Sequence, residues 1–341
     1  MMVNEKHGKY WGYVQSVLEV IMKEEKQYKI LVVYDFNSNS AFFKELGEHG
    51  DYQQTSELDD VARLYDPDFL VIRSKTKVDK KMIDEMPNLK GVVSPTHGTD
   101  HVPVEYLRER GIEFCNIPVQ TYDVAQGTIG CVYAFATKLV EGDRWMKRGK
   151  WKKKDLIGFR VRGETLGIVG YGQIGRQVYR LAIANGMSAI VYDKYVANPE
   201  PPVSNNADGF DRLLRESDII TIHVPFTGET IGLIGRREIE KMKAGVYIIN
   251  NSRGGVVDEE ALLEGLKNKN IAGAALDVYS CEPPFGNPIC QELIKLDNVI
   301  ATPHSIAQTA EAIGKEGIIG EKGAAVIECI KNWEAKIDCA R

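Results

Sequence analysis

The chain has 341 residues, room for two domains of ordinary size or one very large one. Apolar residues are 43% and charged residues 27%, which excludes a disordered chain, and the 32 Gly and 13 Pro follow no three-residue period, which excludes collagen. Lys and Arg number 43 against 48 Asp and Glu, a net charge of −5, so nucleic acid is not an expected partner. No apolar run reaches the ~20 residues of a membrane helix, so no membrane is expected either. The first 28 residues have no uninterrupted apolar stretch and no small-residue cleavage site, so they do not read as a signal peptide. The six cysteines (115, 131, 281, 290, 329 and 339) form no C-x-x-C pair, so neither a metal site nor a disulfide framework is expected, and a reduced, cytoplasmic setting is the simplest reading.

Taken in chain order, Trp11, Val14, Leu18, Ile21 and Met22 recur at helical spacing and predict a helix over 9–27. Its apolar stripe would pack on its own domain or on a partner subunit. Short apolar runs then alternate with helical patterns, at 29–35, 68–74, 89–94 and 112–116. One long helix is expected from about Asp123 to Lys147. A second, more regular series of apolar runs follows at 164–170, 188–193, 218–224, 245–251, 271–278 and 298–302, and a last helix from about Thr309 to Asn332. Runs that are apolar throughout suit strands buried on both faces, and alternation with helices implies an α/β chain with parallel sheets.

The second series opens on Gly170-Tyr171-Gly172-Gln173-Ile174-Gly175, a G-x-G-x-x-G between an expected strand and an expected helix. The first Gly permits a tight turn, the second lets backbone approach a pyrophosphate, and the third allows close helix–strand packing. The next strand ends in Asp193, 18 residues after Gly175. A carboxylate there accepts both ribose hydroxyls of NAD and repels the 2′-phosphate of NADP. The alternative is a glycine turn that binds nothing.

A nicotinamide cofactor implies hydride transfer, and carbonyl reduction also needs a proton donor, most often His. Of the histidines at 7, 49, 97, 101, 223 and 304, His223 and His304 lie just past the ends of strands, where an open parallel sheet binds its ligand. Position alone does not separate them. Arg253 and Glu282 also sit past strand ends. An Arg can hold a substrate carboxylate through two hydrogen bonds, and a carboxylate beside His would orient the ring and hold its proton. Together they suit reduction of a 2-keto acid.

Residues 164–309 resemble the D-isomer-specific 2-hydroxyacid dehydrogenases, through LGIVGYGQIGR, HVPFTGETIGLIGRREIEKMKAGVYIINNSRGGVVDEEAL, AGAALDVYSCEPP and NVIATPHSIAQT. VIRSKTKVD, GTDHV, NIPV and VAQ extend the likeness over roughly 29–335. The resemblance implies two doubly wound parallel-sheet domains: a flavodoxin-like substrate domain (1–116 plus 304–341) into which a Rossmann NAD-binding domain (117–303) is inserted. It also implies a homodimer. Arg253 would hold the substrate carboxylate, His304 would be the acid/base, and Glu282 its partner. Gly170, Gly172, Gln173, Ile174, Gly175, Asp193, Pro225, Ser252 and Asp277 would contact NAD, with His223 on the cofactor side. Arg73, Ser74, His97 and Gly98 would join Arg253 around the substrate. Formate dehydrogenases of the superfamily carry Gln where this chain has Glu282, which argues against formate oxidation.

The chain departs from the resemblance where substrate choice is written. The usual small-residue loop reads Ser94-Pro95-Thr96-His97-Gly98-Thr99-Asp100 here, and Val119 replaces a usual Gly. Phosphoglycerate dehydrogenases often carry an Arg at the place of Ser94, while Arg73 is retained. The expected activity is therefore reduction of a small keto acid, in the manner of glyoxylate and hydroxypyruvate reductases. Phosphoglycerate oxidation is the first alternative. An NAD-sensing corepressor that binds peptide partners is an alternative of another class. The basic run Trp151-Lys152-Lys153-Lys154 reads as a solvated turn.

Overall fold

The structure, a computed structural model, describes residues 28–33, 40–56, 58–96, 98–196, 202–315 and 318–339. The helix expected over 9–27 and the side chain of His97 lie outside the described residues. The chain divides into two compact units: residues up to 119 together with 309 onward, and residues 120–308.

The first unit is built on β1 (Tyr28–Val33), α1 (Ser40–Leu46), β2 (Gly50–Gln54), α2 (Asp59–Tyr65), β3 (Phe69–Ile72), α3 (Lys80–Asp84), β4 (Gly91–Ser94), α4 (Val104–Glu109) and β5 (Glu113–Asn116). Its five strands are all parallel, in the order β2-β1-β3-β4-β5. The apolar runs are central strands: β3 and β4 are buried at every position. β2, Gly-Asp-Tyr-Gln-Gln, is exposed at all but its first residue. It lies at the sheet edge and has no apolar signature, which is why sequence patterning passes over it.

The second unit holds α5 (Thr121–Ala136), α6 (Leu139–Lys147), β6 (Thr165–Val169), α7 (Gln173–Ala184), β7 (Ser188–Tyr192), β8 (Val203–Ser204), α8 (Ala207–Glu216) and β9 (Ile219–Ile222). It continues through α9 (Arg236–Lys241), β10 (Val246–Asn250), α10 (Glu259–Lys267), β11 (Ile271–Leu276), α11 (Pro288–Lys295) and β12 (Val299–Ala301). Its seven parallel strands run β12-β11-β10-β9-β6-β7-β8. The order reverses at β6, the switch point of a doubly wound sheet. Two apolar clusters flank this sheet, one around Leu213, Ile220, Ile248, Leu262 and Leu276, the other around Val132, Ile168, Val178, Ile219 and Ile249. Neighbouring residues of one strand fall into different clusters, as period-two alternation requires of a sheet covered on both faces.

Three sequence expectations change. The long helix over 123–147 is two, because Lys138 takes φ 54 and breaks the hydrogen-bond ladder between α5 and α6. The last helix expected from Thr309 is a short turn, α12 (Ala310–Ile313), a two-stranded hairpin of β13 (Gly314–Lys315) and β14 (Ile318–Ile319), then α13 (Glu321–Cys339). Trp333 on α13 stacks on Phe69 of β3 at 5.5 Å, which seats that helix on the first sheet. The division between the units falls at 119/120 and 308/309, so His304 belongs to the seven-stranded unit and not, as expected, to the first.

Candidate active site

The glycine loop after β6 has the geometry its sequence requires. Gly170 takes φ 97, and a Cβ on it would lie 2.6 Å from the His223 carbonyl oxygen. A Cβ on Gly175 would meet the Gly170 carbonyl oxygen at 2.1 Å, so α7 can seat against the strand only with glycine here. Gly172 is the N-cap of α7 and faces open space, and Gln173 beside it is exposed while Ile174 is half-buried. A helix N-terminus with open backbone suits an anionic group.

Asp193 follows β7. Its Oδ2 accepts the Tyr171 amide at 2.7 Å and its Oδ1 accepts the amides of Tyr195 (2.8 Å) and Val196 (3.0 Å). The carboxylate is thus fastened to the glycine loop, and each oxygen keeps further acceptor capacity.

His223 follows β9, and its Nε2 lies 2.9 Å from Thr221 Oγ1. The residue keeps some exposed surface, yet its Nδ1 is buried with no hydrogen-bond partner. Burial pushes its pKa down to about 3. A ring held neutral through the physiological range is a poor proton donor, so this geometry separates the two strand-end histidines. Pro225, two residues on, is exposed, and its carbonyl accepts the Thr230 hydroxyl at 2.6 Å.

Arg253, Glu282 and His304 follow β10, β11 and β12, which are neighbours in the sheet. Chain order on adjacent parallel strands therefore lines all three along one edge. His304 Nδ1 meets Glu282 Oε2 at 3.0 Å and Oε1 at 3.1 Å, with the side chains 34% and 24% exposed. Arg253 Nη1 donates to the Ser252 carbonyl at 2.8 Å. A Cβ on Gly254 would lie 1.8 Å from the Tyr279 carbonyl oxygen, so the Arg253 loop packs directly against the segment leading to Glu282.

Two buried polar side chains shape these loops. Asn250, the last residue of β10, donates to the Arg253 carbonyl at 3.0 Å and accepts from the Ser252 amide and hydroxyl at 3.2 and 2.8 Å. Asp277, 2% exposed, accepts from the Thr302 hydroxyl (2.6 Å) and from the amides of Ser305 (2.8 Å) and Ile306 (3.1 Å). Those bonds bracket His304, which takes the left-handed φ 55. Asp277 and Ser252 were expected at the cofactor, and in the structure their side chains bond within the loops that carry Arg253 and His304. Sequence reasoning passed over Asn250. The signal available for it was a polar side chain closing an apolar strand.

In the first unit, Arg73 follows β3; its Nη2 reaches the Ser56 carbonyl at 3.5 Å, and its Nε is buried without a hydrogen-bond partner. Ser74 is exposed in the next turn. Ser94 is fully buried, with its hydroxyl 2.9 Å from both Thr96 Oγ1 and His101 Nε2. The Gly98 carbonyl accepts from Thr96 Oγ1 at 3.0 Å, and Asn116 Nδ2 donates to the Thr96 carbonyl at 2.6 Å. His101 and Asn116, neither given a role from the sequence, hold this loop.

The family model for the D-isomer specific 2-hydroxyacid dehydrogenase, NAD binding domain, matches residues 129–305. The chain belongs to the D-isomer-specific 2-hydroxyacid dehydrogenases. It is 43% identical over 253 residues to a D-3-phosphoglycerate dehydrogenase of Archaeoglobus fulgidus, covering 73% of this chain and 47% of that protein. It is 42% identical to a hydroxypyruvate reductase of Thermotoga maritima over 252 residues, 74% of this chain and 81% of that one. The chain thus spans about half the length of the first of these relatives and most of the second. A D-lactate dehydrogenase of Aquifex aeolicus, solved with NAD and lactic acid, superposes with a TM-score of 0.78 at 26% identity, over 91% of this chain and 95% of that one. The seven-stranded unit is the family's NAD-binding domain, and its residues fit that cofactor. The α7 N-terminus has open backbone, the Asp193 carboxylate is fastened to the glycine loop with acceptor capacity to spare, and the buried Nδ1 of His223 has no hydrogen-bond partner. Among the described residues no cluster of His, Cys, Asp and Glu could hold a metal, and no helix is long and apolar enough to cross a membrane. The five described cysteines are free.

Proposed function

We propose that the protein interconverts a small D-2-hydroxy acid and its 2-keto acid with NAD(H), in the manner of a glyoxylate or hydroxypyruvate reductase. The observation that carries this reading is the contact of His304 with Glu282, on the strand edge that also bears Arg253. Bound NADH supplies a hydride. Arg253 holds the substrate carboxylate through a forked pair of hydrogen bonds and polarises the keto oxygen. His304 donates its proton to that oxygen, and Glu282 keeps the ring oriented. His223, its Nδ1 buried and its ring neutral, serves the cofactor side, and Arg73, Ser74, His97 and Gly98 are assigned to the substrate.

The test is turnover by the purified protein with NADH across glyoxylate, hydroxypyruvate, pyruvate, bulkier keto acids and phosphohydroxypyruvate. Turnover of any of them supports the enzyme. Tight NADH binding without turnover across the set supports an NAD-sensing binding protein instead. The relatives named phosphoglycerate dehydrogenase, and the unpartnered Nε of Arg73, favour phosphoglycerate as the second substrate reading.

We also assign a homodimer and a cytoplasmic location. Leu139, Met146, Trp151 and Ile157 of the NAD-binding unit are each more than half exposed, apolar side chains that a second copy would cover. Sedimentation equilibrium reads the association state directly.

A further inference from the structure

The NAD-binding sheet reverses its order at β6, with β7 and β8 on one side and β9 to β12 on the other. The crevice beyond that point takes the ligand in open parallel sheets. A polar bridge joins the loops on its two sides. Glu229, in the loop after β9, accepts from Lys194 Nζ at 2.9 Å and from the Tyr195 hydroxyl, both in the loop after β7. The Lys194 ammonium also sits 5.6 Å from the centre of the Tyr195 ring. Because β6 lies between β7 and β9, this bridge passes over the strand that carries the glycine loop.

The chemistry of the bridge bears on which cofactor enters. Discrimination against NADP is usually given to one carboxylate, here Asp193. Yet the very next residue is a lysine, the type of cation a 2′-phosphate would seek. Among the described residues no cation pairs with Asp193, and Lys194 alone pairs with Glu229. Lys194 and Glu229 are 54% and 55% exposed, so removing the bridge disturbs no core packing.

We propose that Glu229 is a second determinant of NAD over NADP: it occupies Lys194 and adds a second negative charge to the ribose end of the crevice. The inference rests on the NAD-binding reading and adds a residue and a mechanism to it. A 2′-phosphate entering the wild-type site meets two carboxylates and a lysine already paired. With Glu229 neutral it meets one carboxylate and a free ammonium.

Fluorescence titration of NADH and NADPH into the full chain tests this without turnover. Glu229→Gln is expected to tighten NADPH by about fivefold or more at low salt, with the gain shrinking as salt rises. NADH should stay within about twofold. Adding Lys194→Met to that variant should abolish the gain. An unchanged ratio of NADPH to NADH affinity in Glu229→Gln overturns the inference, as does a gain that survives Lys194→Met. Failure of the wild type to bind NADH would overturn the cofactor reading, and the inference with it.

Discussion

Both carboxylate oxygens of Glu282 lie within 3.1 Å of a single nitrogen, Nδ1 of His304. With Nδ1–H directed at the carboxylate, Nε2 is the nitrogen left to exchange a proton with substrate. His304→Asn is therefore expected to lower kcat by ~10²–10⁴, the usual contribution of a positioned acid/base. Equilibrium NADH affinity should stay within a few-fold. Glu282→Gln keeps the shape and one acceptor, so its loss should be smaller. Equal kcat in wild type and His304→Asn would remove the histidine from the chemistry.

Asp277 shapes the loop that carries the same histidine. Its bonds to Thr302, Ser305 and Ile306 define the loop in which His304 holds its left-handed backbone. Asp277→Asn should lower kcat at least about tenfold, since a small displacement of a catalytic group costs heavily. The informative measurement is a double-variant cycle. If Asp277 works through His304, Asp277→Asn causes no further loss in a His304→Asn background. Additive losses would assign it another role.

His223 links the cofactor unit to pH. The folded state holds this imidazole neutral down to about 3, whereas the unfolded chain protonates it near the ordinary value of 6.5. Between those values the unfolded state binds the extra proton, so stability falls on acidification, by ~1.4 kcal/mol per pH unit. Urea unfolding of wild type and His223→Gln between pH 6 and pH 4 isolates this contribution from that of the carboxylates. The variant's stability should fall less steeply. Parallel slopes would mean that the ring is not desolvated in the folded protein.

The strand edge that bears Arg253, Glu282 and His304 was legible because residues at strand ends follow strand order. Arg253, Glu282 and His304 each come just after an apolar run, and adjacent parallel strands align such residues without long-range information. The glycine loop was legible for a local reason, since each glycine answers a contact with nearby backbone. Asn250 was not, because a hydrogen bond to a loop residue three positions on leaves no periodic trace. Nor was the break at Lys138, where a helical pattern runs on through a residue at φ 54. The edge strand β2 escaped because edge strands need no buried alternation. Glu229 and Lys194 lie 35 positions apart in unremarkable loops, and only the reversal of strand order brings them together.

The proposed substrate order turns on position 94. A phosphate needs several fixed donors, best supplied by guanidinium groups. Ser94 has no exposed surface, and its hydroxyl lies within hydrogen-bond distance of Thr96 and His101, so it presents nothing to a ligand. Arg73 supplies one guanidinium, whose recorded bond to the Ser56 carbonyl is long at 3.5 Å. One such group is a thin set for a dianion. Hydroxypyruvate or glyoxylate should accordingly exceed phosphohydroxypyruvate in kcat/KM at one pH and salt. A preference for the phosphorylated acid above ~10-fold, equivalent to ~1.4 kcal/mol of transition-state binding, would reverse the order. It would direct the next substitution to His97→Ala, because a protonated imidazole there would be one further donor for a phosphate, beside Lys152 or Lys153.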